Sequence, residues 1–255
     1  MAPEDAQHVV IANALKRRIE DGELLPGSRI PSEQALADEF GRPRPIVRMA
    51  LNILRSNGLI DTRPGRGTYV REKPAVIVRR SDRYKRGAPG GLPTSPLWRD
   101  AVSAGRAPAF DPEPRTVTER ASEQIAYRLQ IEPGDPVMHT SYRWVADGQP
   151  VQLSESWEPM AIVGGTAAEE PETGPGAGLG VIARMDLIGV RIDTVWEGVR
   201  TRPSTVEERR QLAIPEDVWV IVIQRTYTAG EMPVETCDIV IAADRYELEY
   251  MIPID

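Results

Sequence analysis

The chain has 255 residues, 41% hydrophobic and 27% charged, with a formal charge of −7. That length allows two ordinary domains, and the mix of apolar and charged residues excludes a disordered or fibrous chain. No apolar run reaches the roughly 18 residues of a membrane helix, and Cys237, the single cysteine, cannot form an intrachain disulfide.

Two histidines beside one cysteine make no zinc set, so neither a metal nor another cofactor is expected. The N-terminus lacks a basic-then-apolar signal, which predicts a cytoplasmic protein with no membrane partner. Charge is unevenly spread. Gly41 to Arg106 holds 15 Lys+Arg against 4 Asp+Glu, a net of +11, whereas Ala107 to Asp255 holds 12 against 26, a net of −14. Phosphate meets a local patch, so the acidic total does not argue against nucleic acid. A plain solubility balance is the other reading.

In chain order, Val10, Ile11, Ala14, Leu15 and Ile19 form one apolar stripe of a helix over about Gln7 to Asp21, which Gly22 stops. Leu25-Pro26-Gly27 turns the chain. Ser32 caps a short helix whose inner face is Ala35, Leu36 and Phe40, closed by Gly41. A third helix begins at Arg44 or Pro45 and ends at Asn57 and Gly58, with Val47, Ala50, Leu51 and Leu54 buried. Arg44, Arg48, Asn52 and Arg55 fall on its other side. Leu59–Arg63 and Thr68–Arg71 predict two strands joined by Arg63-Pro64-Gly65-Arg66-Gly67. Two short helices and a glycine-bent basic hairpin are the plan of a winged helix-turn-helix, whose second helix enters the major groove.

The stretch from Val9 to Val70 resembles the DNA-binding domain of the GntR family of bacterial regulators. The resemblance rests on Gly22-Glu23-Leu24-Leu25-Pro26-Gly27, Pro31-Ser32-Glu33, Leu36-Ala37, Val47-Arg48-Met49-Ala50-Leu51, Leu54, Gly58-Leu59-Ile60 and Gly65-Arg66-Gly67-Thr68-Tyr69-Val70. It implies that Ser32, Glu33 and Gln34 open the first helix of the motif, that Arg44 and Arg48 contact bases or phosphates, and that Arg66 and Gly67 serve at the wing. The family enters its recognition helix through Val-Ser-Arg-Thr-Thr-Val-Arg. This chain has Arg42-Pro43-Arg44-Pro45-Ile46-Val47-Arg48, so phosphate positioning is expected to pass to Arg42 and to the backbone amides at the Pro45 turn.

Residues 74–106 are expected to be a linker between a domain over 1–73 and another over 107–255. Pro74, Pro89, Pro93 and Pro96 with Gly87, Gly90 and Gly91 prevent a continuous helix. Ala75–Val78 allows a brief strand, and the basic Ser81–Arg86 reads as solvated tether or as a DNA contact. Beyond it, Thr116–Thr118 predicts a strand and Ser122–Leu129 a capped helix. Pro136–Val145 and Val151–Trp157 form a hairpin, and Gly164–Gly180 a mobile loop. Further elements are a helix at Leu179–Leu187, a strand at Asp193–Arg202, a helix at Thr205–Leu212 and a hairpin from Val218–Thr228 and Val234–Ala242.

Helix, turn and hairpin thus occur twice, each with an arginine, Arg143 or Arg225, on the first long strand. Trp98 to Pro253 resembles the UTRA effector domain of the HutC branch, a chorismate lyase-like fold. The markers are Arg143 with Asp147-Gly148, Ser154-Glu155-Ser156-Trp157, Glu197, Arg225, Val234-Glu235 and Asp244-Arg245-Tyr246. The fold class is α+β, a winged helix-turn-helix linked to an α/β domain with an antiparallel sheet. By resemblance Arg143 anchors an anionic or carbonyl group, Arg225 is its repeat, Glu155, Glu197 and Glu235 accept hydrogen bonds, and Trp157 and Tyr246 offer flat faces. Each acid has an alternative as an ion-pair partner, and His139 as a structural residue. Phosphosugar-sensing relatives carry Ser-Leu-Tyr where this chain has Gly178-Leu179-Gly180, which argues against such an effector.

The expected function is a ligand-responsive repressor that binds a palindromic operator in double-stranded DNA as a homodimer and is released by a small molecule. A regulator of mobile-element transfer whose second domain only dimerises or binds a protein is the alternative. A lyase-like enzyme comes last, because no phosphate loop, nucleophile elbow or metal cluster is present.

Overall fold

The computed structural model describes residues 4–63, 65–72, 75–85, 95–216 and 218–252. Pro64 of the expected wing tip, Pro74 and Arg86 to Pro93 of the expected linker, Asp217 and Pro253 lie outside these residues. The chain forms two compact units, Met1–Pro74 and Ala75–Asp255. No helix among the described residues is long and apolar enough to cross a membrane.

The first unit has α1 (Glu4–Glu20), α2 (Glu33–Phe40), α3 (Arg44–Ser56), β1 (Ile60–Arg63) and β2 (Gly67–Val70). Ser32 Oγ accepts the Ala35 amide, and Gly41 closes α2 in the left-handed region at φ 62°, where a side chain would be strained. Val47, Ala50, Leu51 and Leu54 are buried together with Ile11, Leu15, Leu36 and Ile60. Two stripe residues differ from expectation. Val10 is exposed and Ala12 buried, and Ala35 is exposed while Ala37 is buried. In both helices an alanine, Ala12 or Ala37, thus takes a place in the buried cluster. Strands β1 and β2 pair antiparallel from Ile60↔Val70 to Arg63↔Gly67.

The second unit begins inside the expected tether, and this corrects that reading. β3 (Ile77–Arg80) pairs parallel with the last strand, β11 (Tyr246–Glu249), and is followed by a 3-10 turn (Ser81–Tyr84) and α4 (Pro96–Ser103). Ile77 is fully buried, and Arg79, Arg83, Leu97 and Asp100 nearly so. Proline at the start of α4 costs little because that amide needs no helical partner, and Ser95 caps the helix.

The remaining elements are β4 (Pro108–Phe110), β5 (Arg115–Arg120), α5 (Glu123–Leu129), β6 (Pro136–Ala146), β7 (Gln149–Pro159), α6 (Met160–Val163), α7 (Val181–Leu187), β8 (Thr194–Pro203), α8 (Val206–Leu212), β9 (Trp219–Ala229) and β10 (Met232–Ala242). Their antiparallel sheet runs β4-β6-β7-β10-β9-β8, with β5 beside β4 on the outer edge of β6. The unit β5-α5-β6-β7 therefore repeats as β8-α8-β9-β10, and the halves meet where β7 pairs antiparallel with β10. The first hairpin turns at Asp147-Gly148, both at positive φ, the geometry a two-residue hairpin requires.

Helices α5 and α8 pack on one face of the sheet. Leu212, Val220 and Val222 form one apolar cluster there, and Ile125, Leu129 and Val137 another. The opposite face carries Trp144, Ile223, Ile239 and Ile241 against Ile77 and Leu97, and Tyr227 and Val234 against Met185. The expected loop Gly164–Gly180 lies there in successive turns, with Ala168 fully buried.

Candidate nucleic-acid interface and ligand cavity

Helix α3 presents Arg44 and Arg48 to solvent on the side opposite its buried stripe. Glu33, the first residue of α2, reaches both. Arg48 Nε and Nη2 donate to its two carboxylate oxygens at 3.1 and 2.9 Å, and Arg44 Nη2 lies 3.5 Å from Oε2. The Arg48 fork, with Arg44 behind it, holds the Glu33 carboxyl below its ordinary range. Pairs this exposed contribute little stability; their effect is to orient two long side chains.

Ser32 is occupied as a cap, and Gln34 Nε2 donates to Asp38 Oδ1 at 2.9 Å. Pro45 occupies the first turn of α3, and Arg42 is exposed just before it. Arg66 is exposed on the wing. Gly67 has φ 111°, and a Cβ there would stand 2.7 Å from Arg29 Nε, so glycine is required. Ser32, Glu33, Arg44 and Arg48 thus form one polar group at the mouth of the helix pair.

In the second unit a cavity of about 290 Å³ lies on the sheet face away from α5 and α8, near the lower end for small-ligand sites. Period-two alternation supplies its floor: Tyr142 and Trp144 from β6, Gln152, Ser154 and Ser156 from β7, Arg225 and Tyr227 from β9, and Glu235, Cys237 and Ile239 from β10. Walls come from Arg79, Arg83 and Trp98 on the segment after the first unit, from Glu172 and Gly178–Gly180, and from Arg184 on α7.

Glu235 is fully buried at the centre. Its Oε1 accepts Ser156 Oγ at 2.8 Å and Arg225 Nη2 at 2.9 Å, while Oε2 has no partner. The Arg225 guanidinium stands 4.5 Å over the Tyr227 ring. Arg184 grips both oxygens of the buried Glu158 and donates to the Ala168 carbonyl at 2.6 Å. Arg79 pairs with Glu197, which also accepts from the Tyr84 hydroxyl. Arg83 meets Asp100 at 2.9 Å, and burial raises the Asp100 carboxyl to about 6. Burial also lifts the Glu172 carboxyl and the Cys237 thiol above their ordinary ranges.

The predicted effector residues separate by face. Arg225 and Glu235 line the cavity; Arg143, Glu155, Trp157, Glu197 and Tyr246 do not. Arg143 donates through Nε to the Gln211 carbonyl of α8 at 2.8 Å and through Nη1 to the Asp111 carbonyl. Counting back from each hairpin turn, Tyr142 and not Arg143 is the counterpart of Arg225. One residue of offset places a strand side chain on the other face. Glu155 binds His139 and Ser141 on the helix side, where Trp157 stacks on His139 at 4.8 Å between centroids and donates to Glu119. Glu197 stands behind Arg79, and Tyr246 is buried in the core beside Ile77.

Sequence reasoning missed Arg79, Arg83, Arg184 and Gln152, and took Ser154 and Ser156 as family markers without assigning them to the polar row of the cavity. Two signals were present. Arg184 interrupts the stripe Val181, Met185, Ile188, and the row falls at alternate positions of one strand.

A winged helix presenting paired arginines, in one chain with a cavity lined by buried charged groups on a duplicated sheet, defines a DNA-binding regulator with a sensory domain. Family models agree: residues 8–70 match the bacterial regulatory proteins of the gntR family, and residues 115–247 match the UTRA domain. The chain belongs to the GntR family of transcriptional regulators, in the HutC-like group that carries a UTRA domain.

Among its relatives, an HTH-type transcriptional regulator of Streptomyces coelicolor is 28% identical, with 89% of this chain and 84% of that protein covered. The histidine utilization repressor of Pseudomonas putida is 26% identical over 91% of this chain and 86% of its own length. A crystal structure of a GntR-family transcriptional regulator matches 98% of both chains at 36% identity with a TM-score of 0.73. PhnF from Mycobacterium smegmatis shares the fold at 19% identity, with a TM-score of 0.57 over 96% of this chain and 100% of that one.

Proposed function

We propose that this regulator is a repressor that binds a palindromic operator as a homodimer, acts in the cytoplasm, and releases DNA when a small effector enters the cavity of the second unit. One observation carries the sensing part: Glu235, a residue that lines the cavity, is fully buried, and its Oε2 has no hydrogen-bond partner. An unmade charged hydrogen bond of this kind is costly to keep, and a ligand donor relieves it. On this reading Arg225 and Glu235 take the role expected of Arg143, and Arg44, Arg48, Arg42, Arg66 and Gly67 meet the DNA.

Transmission follows from connectivity. Arg79 and Arg83 lie on the cavity wall within ten residues of the end of the first unit (about a dozen residues of chain span at most ~40 Å). A ligand that prefers one arrangement of β3 and the 3-10 turn therefore biases the chain leading to the DNA-binding unit, and it shifts the equilibrium only by that preference.

The test replaces both partners, Arg225→Met with Glu235→Leu, so that no lone charge remains buried. Operator affinity should persist and effector release should vanish; intact release would remove the cavity from the account. The relatives are transcriptional regulators rather than enzymes, and a bound effector should be recovered chemically unchanged. A second unit that only dimerises or binds a protein would leave the paired mutant with unaltered regulation.

A further inference from the structure

Arginines are not the only side chains that α3 turns outward. At about 100° of rotation per residue, Pro45, Met49 and Asn52 lie within roughly 30° of the line opposite the buried stripe of Val47, Ala50, Leu51 and Leu54, whereas Arg48 and Arg44 lie roughly 70° and 110° from it. All three central residues are exposed, Met49 at 44%. Proline and methionine side chains carry no hydrogen-bond donor, so among these described residues Asn52 alone offers one to a base edge.

Asn52 is held in place. Arg55, one turn further along α3, donates through Nη1 to Asn52 Oδ1 at 2.5 Å and through Nη2 to Thr62 Oγ1 on β1 at 2.8 Å. Thr62 faces Thr68 across the wing ladder, with their hydroxyl oxygens 3.4 Å apart. A guanidinium has donors and no acceptor, so the amide atom beside Arg55 must be the oxygen. The amide therefore cannot flip, and its NH2 end is left for a partner. Because the same arginine bonds the wing, helix and wing set this orientation together.

Given a first unit that binds DNA, on which this reading rests, we propose that Asn52 reads a guanine of the operator, its NH2 group donating to O6 in the major groove. Arg55 is the positioning residue that makes it a donor. An unconstrained asparagine suits adenine, whose N7 acceptor and N6 donor match both ends of the amide. With Oδ1 held by Arg55 the match shifts to guanine, which presents the acceptors N7 and O6 and no donor on that edge.

Fluorescence anisotropy with the full-length protein and duplexes it selects from a random pool tests this. The selected operators should share a guanine whose replacement by adenine weakens binding about tenfold, within the range of one base contact. In Asn52→Ala that penalty should vanish at this position and persist at the others, with Tm unchanged because the side chain is exposed. Arg55→Met should free the amide and accept adenine as well as guanine there. Arg55→Lys, which also has donors only, should restore the preference for guanine.

The readout is the ratio of guanine to adenine affinity, so a loosened wing that lowers both does not imitate the effect. Asn52→Ala that weakens every duplex equally and keeps every base penalty would place Asn52 on the sugar-phosphate backbone and overturn the proposal. Arg55→Met with the guanine preference intact would remove Arg55 as the positioning residue. A protein that selects no duplex at all would overturn the DNA-binding reading together with the proposal.

Discussion

Replacing Arg184 with methionine should damage the second unit more than its single position suggests. Arg184 is 2% and Glu158 1% exposed. Two charged hydrogen bonds join them, and a third ties Arg184 to the Ala168 carbonyl. Methionine fills the same channel but leaves Glu158 ionised and alone in a dry interior, and breaking a buried pair in this way costs about 3–5 kcal/mol. For a domain of this size each kcal/mol moves Tm by about 2–4 °C, so a fall of roughly 6–20 °C is expected.

Glu158→Leu in addition removes the stranded charge and should recover most of the loss, because desolvation of an ion pair largely offsets its attraction. Burial already raises the Glu158 carboxyl, so the single mutant's deficit should narrow as pH falls and Glu158 takes a proton. Circular dichroism melts of the single and double mutants across pH supply the measurement. A single mutant within about 2 °C of wild type, or a double mutant no better than the single, would refute the reasoning. Since α7 forms a cavity wall with Arg184, ligand binding should fall in the single mutant and return in part with the double.

Three further outcomes follow from the same geometry. Glu33→Gln should leave Tm unchanged yet lower the ratio of specific to non-specific DNA affinity, because Arg44 and Arg48 lose their guide while an anionic group leaves the surface; equal changes in both affinities would count against a positioning role. Arg143→Ala should cost about 1–3 kcal/mol of stability, from the carbonyls of Gln211 and Asp111 losing their donor, and leave the effector response intact. His139 is held above its ordinary 6.5 by its hydrogen bond to Glu155, with Glu119 adding to it. A raised folded pKa means stability that is full below 6.5 and lost as pH rises through the folded value. The deficit of His139→Gln should therefore be larger at pH 6 than at pH 9, and a deficit independent of pH would contradict the assignment.

The first unit was legible almost residue by residue because its signals are local. Ser32 and Gly41 mark the ends of α2, and the stripe from Val47 to Leu54 specifies which side of α3 faces out. Strand and helix positions in the second unit were legible for the same reason, and the duplication is visible as two equivalent hairpins. The cavity was harder. Its floor depends on strand parity, and aligning the two repeats by their arginines gave an offset of one residue, enough to put Arg143 on the α8 side.

Its walls come from residues distant in sequence. Arg79 meets Glu197 and Arg184 meets Glu158, and no spacing rule predicts such pairs. Prolines and glycines between Pro74 and Pro96 suggested a tether, whereas the burial of Ile77, Arg83 and Leu97 depends on partners in β11 and the sheet that composition does not display.

The central claim is that occupation of the Arg225–Glu235 cavity lowers affinity for DNA. Fluorescence anisotropy of an operator, selected from random duplexes by the full-length protein, measures it directly when titrated at fixed concentrations of a ligand that stabilises the protein. Operator Kd should rise saturably with ligand, and ligand Kd should rise by the same factor with operator, as linkage requires. Arg225→Met/Glu235→Leu should bind the operator and show neither shift. An operator affinity that stays constant while the cavity fills would contradict the account.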